Sequence, residues 1–149
     1  MEKNNQVNSY KSGRVVLVLN GRMAGYKAVI IKGFKKQEKT NFESVLLLGI
    51  KKYPLKITRK MNTEKTFKKS RIKMFLKFFN KNHILPTRYI IDLSDIKSII
   101  PNQEDDLEEI KQKIKESKKE KNLLLTIGNI FNDRFFAGKN KWFYKKLKF

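Results

Sequence analysis

Catalysis needs side chains that exchange protons, hold metals or attack carbonyls, and this chain offers few at useful spacing. Its one histidine, His83 in NHILPT, has neither a cysteine nor a nearby acid beside it, whereas a general base or metal ligand needs a partner that orients the ring. Asp92 and Asp95 are close in sequence, but a metal-dependent nuclease needs several converging carboxylates. Hydrogen bonding at a strand end is their expected use. The dense acidic cluster Glu104, Asp105, Asp106, Glu108 and Glu109 fits a helix N-terminus, where the macrodipole favours negative charge without any metal. The glycines of NGRMAGYKAV lack the GK[ST] ending of a phosphate-binding P-loop. No catalytic residue, metal-ligand set or cofactor site emerges, and no enzyme is expected.

A different chemistry closes the chain. In GKNKWFYKKLKF, residues 138–149, five lysines are interleaved with Trp142, Phe143, Tyr144 and Phe149. Aromatic faces stack on bases while lysines meet phosphates, so the stretch suits a polyanion with exposed bases; the alternative is that the rings pack back on their own domain. The balance of 35 basic against 14 acidic residues gives a formal charge of +21, a field that draws polyanions from a distance. Cysteine is absent, which excludes a disulfide framework and a thiolate zinc site. No stretch approaches twenty apolar residues and the start, MEKNNQVNSYKSG, is polar, so neither a membrane span nor a secretory signal is expected; no small-molecule substrate is expected as a partner.

The elements that must position these groups follow from the apolar pattern. RVVLVLNGRMAGYKAVIIKGF holds two β-branched runs, residues 15–19 and 28–31, around a loop with Gly21 and Gly25, which is a hairpin signal that sets Arg22, Tyr26 and Lys27 at its tip. SVLLLGIKKYP reads as a further strand and RYIIDL, residues 88–93, as a fourth. Between them, residues 51–81 carry twelve basic groups and the single acid Glu64. A short helix over residues 63–71 followed by a strand is the preferred reading, although Ile72, Phe75, Leu76 and Phe79 also match helical spacing. Several short strands within a hundred residues point to a small barrel, making the chain α+β and mainly β. After Pro101, PNQEDDLEEIKQKIKESKKEK reads as a surface helix with Leu107, Ile110 and Ile114 in one apolar stripe. NLLLTIGNIF fits helix or strand.

At five places the residues resemble a known family. GRVVLVLNGRMAGYKAVIIK resembles the KOW motif of ribosomal proteins, and LGIKKYPLKIT, KKSRIK, NHILPTRY and GKNKWFYKKLKF are similar, in order and spacing, to blocks of the eukaryotic large-subunit ribosomal protein twenty-seven family. The resemblance implies an SH3-like β-barrel carrying the KOW motif, a C-terminal helix with a basic and aromatic tail, no catalytic activity, and a structural place in the large subunit. The chain departs from the pattern over residues 101–137, which begin acidic, and at Tyr26, where the family carries a basic residue.

The expected organisation is a polar extension at 1–10, the barrel at 11–100, a helix and apolar connector at 101–137, and the tail at 138–149. Lysines meeting phosphates release condensed counterions, which yields salt-sensitive binding with little sequence information. The candidate RNA contacts on the barrel are Lys11, Arg14, Arg22, Lys27, Lys56, Arg59, Arg71, Lys73 and Arg88. On the tail, Lys139, Lys141, Lys145 and Lys146 are expected to neutralise phosphates while Trp142, Phe143 and Tyr144 insert between RNA and protein, ordering only on assembly. The implied partners are large-subunit ribosomal RNA and neighbouring large-subunit proteins, in the cytoplasm after nuclear and nucleolar passage. The alternative is a KOW-domain translation or transcription factor that visits the ribosome or RNA transiently.

Overall fold

The computed structural model describes residues 10–34, 41–99, 107–119 and 122–148. Five strands form one antiparallel sheet: β1 Arg14–Val18, β2 Lys27–Phe34, β3 Ser44–Lys52, β4 Lys73–Asn80 and β5 Ile84–Ile90. Among the described residues four helices accompany them: α1 Thr63–Ser70, α2 Ser94–Lys97, α3 Leu107–Lys119 and α4 Asn122–Phe136. The strand order is β4-β3-β2-β1-β5.

That order leaves β4 and β5 as the two edges, so the expected barrel is corrected to an open sheet of mixed α+β type. Strong curvature takes the place of hydrogen-bonded closure. Val16, Ala28, Ile30 and Leu47 share a buried cluster with Phe75 and Phe79 from one edge strand and Ile84 from the other, and no helix contributes to it. Both edges must therefore bend toward a common interior. Register shifts between Arg14 and Val16, Ile30 and Lys32, and Ile50 and Lys52 supply the bend, because an extra residue on one strand raises its local twist.

Side chains alternate across each strand, and here both faces are covered. The opposite face carries Val15, Val29, Ile31, Leu46, Leu48, Met74 and Leu76 against Ile96 of α2, Ile110 of α3, Ile127 and Phe131 of α4, and Phe143 and Tyr144 of the C-terminal turn. Two-sided burial explains why β2 and β3 read as continuous apolar runs rather than as alternating ones.

NLLLTIGNIF, open between helix and strand in the sequence, lies in α4. Gly128 falls where α4 crosses the sheet: a Cβ there would lie 3.5 Å from the Ile72 carbonyl oxygen. Asn132 fixes the same crossing by accepting the Ile72 N–H at 3.2 Å. RYIIDL is only partly strand, because β5 starts at Ile84 and ends at Ile90. Of the expected stripe on α3, Ile110 is buried, whereas the side chains of Leu107 and Ile114 and the acidic residues 104–106 lie outside the described residues.

Candidate nucleic-acid interface

The excursion between β3 and β4 is strongly basic, with Lys56, Arg59, Lys60, Lys65, Lys68, Lys69 and Arg71 against the single acid Glu64. It leaves the sheet at Tyr53, runs through an exposed loop to Asn62, and returns through α1. Asn62 starts that helix by accepting the Lys65 N–H at 2.8 Å, Glu64 stands in its first turn, and Lys68 and Lys69 occupy the last, as capping and the helix dipole require. Leu55 N–H donates to the Lys69 carbonyl at 2.9 Å, which holds the loop against the helix.

Two grooves open beside this excursion along one flank of α4. The first, about 310 Å³, is lined by Lys51, Arg71 and Lys73 on the sheet side and by Leu124, Leu125, Gly128, Asn129 and Asn132 on the helix. The second, about 500 Å³, is lined by Pro54, Leu55, Lys56 and Ile57 of the loop and by Phe135, Gly138, Lys141, Tyr144 and Lys145. Leu124, Gly128, Asn132 and Phe135 follow the helical repeat, so one face of α4 serves both. Neither groove has an acidic lining residue. The structure thus gathers Arg71 with Lys73, and Lys56 with Lys141 and Lys145. Lys51 and Asn129 join the first groove without having been singled out in the sequence. Lys51 was one of many lysines in a basic tract, and Asn129 could be placed only once α4 was known to be a helix.

The remaining candidates are dispersed. Lys11 and Arg88 are exposed near the paired ends of β1 and β5, where Arg14 faces Ile90. Arg14 is half-buried and donates to the Thr87 carbonyl at 3.0 Å. Arg22 is exposed at the β1–β2 turn, beyond the other end of β1; at ~3.3 Å per residue the strand separates it from Lys11 by roughly 17 Å. Arg59, Lys139 and Lys146 are exposed as well.

Lys27 is turned inward instead. It is 1% exposed, and its Nζ donates to the Trp142 carbonyl at 2.6 Å and the Lys145 carbonyl at 2.5 Å. Its backbone N–H donates to the Tyr53 hydroxyl at 2.7 Å. Burial, with the nearby Lys145 charge as a lesser cause, lowers the Lys27 pKa to about 8. Tyr26 is also away from the tip, packed against Tyr53 with ring centroids 6.0 Å apart. Both follow from where the turn ends. Gly25 N–H donates to the Val18 carbonyl and Val18 N–H to the Tyr26 carbonyl, so the strands are already paired when residue 27 arrives.

The closing turn is part of the fold, contrary to the expectation that it orders only on assembly. Lys141–Tyr144 forms a 3-10 turn entered through Asn140, whose φ is +53°. Phe143 and Tyr144 are 1% and 3% exposed in the helix-side core. The Tyr144 hydroxyl donates to the Phe131 carbonyl at 3.1 Å, and burial pushes its pKa up to about 12. Trp142 is half-buried and stacks on Tyr89 at 4.4 Å between centroids with the planes 16° apart. What the tail presents outward is lysine: Lys139, Lys141, Lys145, Lys146 and Lys148 are all exposed.

The acids play supporting parts. Asp92 turns the chain into α2 by accepting the Ser94 N–H at 3.0 Å and its hydroxyl at 3.2 Å, which holds its carboxyl below the usual range. Arg134 spans the Asp92 carbonyl at 2.7 Å and the Asp95 carboxylate at 3.4 Å. His83 is exposed in the 3-10 turn Lys81–His83 between β4 and β5. Among the described residues no cluster of histidine, aspartate and glutamate could hold a metal ion, and no helix is long and apolar enough to cross a membrane.

Fold and surface define a small basic α+β protein that presents lysine-lined grooves. Its residues 15–149 match the family model of the ribosomal L27e protein family. It is 40% identical over 140 residues to large ribosomal subunit protein eL27 of Candida albicans, covering 93% of this chain and 96% of that one. Similar agreement holds for eL27B of Saccharomyces cerevisiae, 39% over 140 residues and the same coverage, and for eL27z of Arabidopsis thaliana, 40% over 144 residues, 96% of this chain and 99% of the relative. The chain belongs to the ribosomal L27e protein family.

Proposed function

We propose that the protein is a structural constituent of the large ribosomal subunit that binds and braces ribosomal RNA. The observation that carries the reading is the near full-length match to relatives named as large-subunit proteins. Proteins of this family are components of the ribosome and not enzymes.

In this reading the curved sheet is an SH3-like platform whose β1–β2 hairpin is the KOW element. The β3–β4 excursion, the two grooves and the outward lysines of the tail meet phosphates. Arg59, Arg71, Lys73, Lys56, Lys141 and Lys145 face RNA together, Lys139 and Lys146 extend the same contact, and Lys11, Arg14, Arg22 and Arg88 touch separate strands. Lys27 and Trp142 act from within, by holding the tail in place. Neighbouring large-subunit proteins complete the setting, with no membrane and no small-molecule substrate. The protein works in the cytoplasm after nuclear and nucleolar passage during assembly.

Sucrose-gradient sedimentation of cell extract, followed before and after a salt wash, tests this. One copy per large subunit that survives a moderate wash is expected. Light-fraction sedimentation at low copy number would instead indicate a factor that visits the ribosome.

A further inference from the structure

We propose that the groove between residues 54–57 and the C-terminal turn is a pocket for a single unstacked nucleotide; this deepens, and rests on, the RNA-binding reading above. Its volume of about 500 Å³ falls within the range of small-molecule sites, about 300–1,000 Å³. Leu55 and Ile57 form one wall, Phe135 and Tyr144 the other, and Lys56, Lys141 and Lys145 stand among them. Phosphate contact alone needs only the lysines. The apolar walls call for something flat and weakly polar between the charges, and a base extruded from a helix has a π-face for the walls and a flanking phosphate for the cations.

Two further observations favour this occupant. Leu55 and Ile57 are 55% and 38% exposed, so apolar surface is left open beside three cations with no acid among the lining residues. The walls are also preformed. Leu55 N–H is tied to the Lys69 carbonyl on one side, and the Tyr144 hydroxyl to the Phe131 carbonyl on the other, so entry of a base costs little ordering.

The test uses the full chain and two RNA hairpins of equal length, one fully paired and one with a single bulged 2-aminopurine. Binding at least tenfold tighter to the bulged hairpin is expected, with a change in 2-aminopurine emission on binding. The double variant Leu55→Ser, Ile57→Ser should lose that preference and bind the two hairpins alike. Because both side chains are exposed, the fold should survive, which an unchanged melting temperature would verify. Equal, salt-sensitive affinity for the two hairpins would overturn the pocket and leave the structural reading standing. Failure to bind either hairpin, together with absence from large subunits, would overturn both. Tighter binding of an acidic peptide bearing one leucine than of the bulged hairpin would also overturn the pocket, by assigning the groove to protein.

Discussion

Lys27 Nζ sits 3.7 Å from the centroid of the Trp142 ring, across 115 residues of chain. The same ammonium reaches the carbonyls of Trp142 and Lys145. A buried cation thus does for the tail what a cap does for a helix: it satisfies the backbone acceptors of a short turn. Trp142, with Lys27 against its ring and Tyr89 stacked at 4.4 Å, completes a latch that joins β2, β5 and the end of the chain.

Replacing Lys27 by methionine keeps most of the volume but takes the ammonium donor from the Lys145 carbonyl and leaves the Trp142 carbonyl with the Lys145 N–H alone. Losing such a buried partner costs about 1–3 kcal/mol, and the cation–π contact adds about 1 kcal/mol. The variant should unfold several degrees earlier. Because Trp142 is the sole tryptophan, its emission should shift to the red below the melting transition as the turn detaches. An unchanged spectrum would show that the latch does not hold the indole.

The same group gives stability an unusual pH dependence. Burial lowers the folded-state pKa of Lys27 from 10.5 to about 8. Between those values the unfolded chain binds the extra proton, so stability rises with pH. Burial also pushes Tyr53 and Tyr144 from 10 to about 12. There the unfolded chain loses its proton first, and stability falls from pH 10 upward. Denaturation midpoints taken from pH 7 to 11 should rise above pH 8 and fall beyond pH 10. Lys27→Met should abolish the rise relative to wild type and keep the fall.

Removing the charges of Lys51, Arg71 and Lys73 together should weaken RNA binding on all sequences alike and flatten its salt dependence. Each lost phosphate contact lowers the slope of log affinity against log salt by about 0.7–0.9. A triple alanine variant with an unchanged slope would remove the first groove from the interface.

How much of this was legible in the sequence depended on whether a signal was local. The β1–β2 hairpin, β3, α1 and β4 follow from apolar and β-branched runs and glycine punctuation, all within a few residues. Barrel closure depends on whether β4 pairs with β5, which no local pattern records, and the two strands stand as the edges of an open sheet. NLLLTIGNIF fits helix or strand because Gly128 interrupts its apolar run, and what decides for α4 is its packing on the sheet, a contact distant in sequence. Lys27 looked like its lysine neighbours until its carbonyl partners, more than a hundred residues away, were placed. The tail rings were the converse case, their interleaving with lysine suggesting a partner where the core itself was the partner.

Two glycines should respond oppositely to alanine. A Cβ on Gly49 would collide with the Phe75 ring and lie 3.0 Å from the Ala28 Cβ. Both neighbours belong to the curved sheet's inner cluster, and overpacking of this kind costs about 1–3 kcal/mol. At Gly128 the new Cβ would meet the Ile72 carbonyl at an ordinary 3.5 Å, and alanine raises helix propensity by up to about 1 kcal/mol. Urea melts should show Gly49→Ala destabilised and Gly128→Ala unchanged or stabilised. The reverse ranking would mean that the helix crossing is tighter than the sheet interior.

Deleting the tail separates two roles that its sequence combines. A chain ending at Gly138 loses Phe143 and Tyr144, and burying a large apolar side chain is worth about 1.5–3 kcal/mol. Their removal also exposes Phe131, whose ring packs 5.8 Å from Phe143 and 6.4 Å from Tyr144, and leaves Lys27 without its carbonyls. The truncated protein should therefore be destabilised in isolation, with no RNA present. Replacing Lys139, Lys141, Lys145 and Lys146 by glutamine removes exposed charge and keeps the rings, so its melting temperature should stay close to wild type while its association with large subunits weakens and it washes off at lower salt. If truncation left the free protein as stable as the full chain, the turn would be ordered by RNA after all. If the glutamine variant sedimented with subunits as firmly as wild type, the tail would be a structural clasp alone, and the contact with RNA would rest on the excursion between β3 and β4.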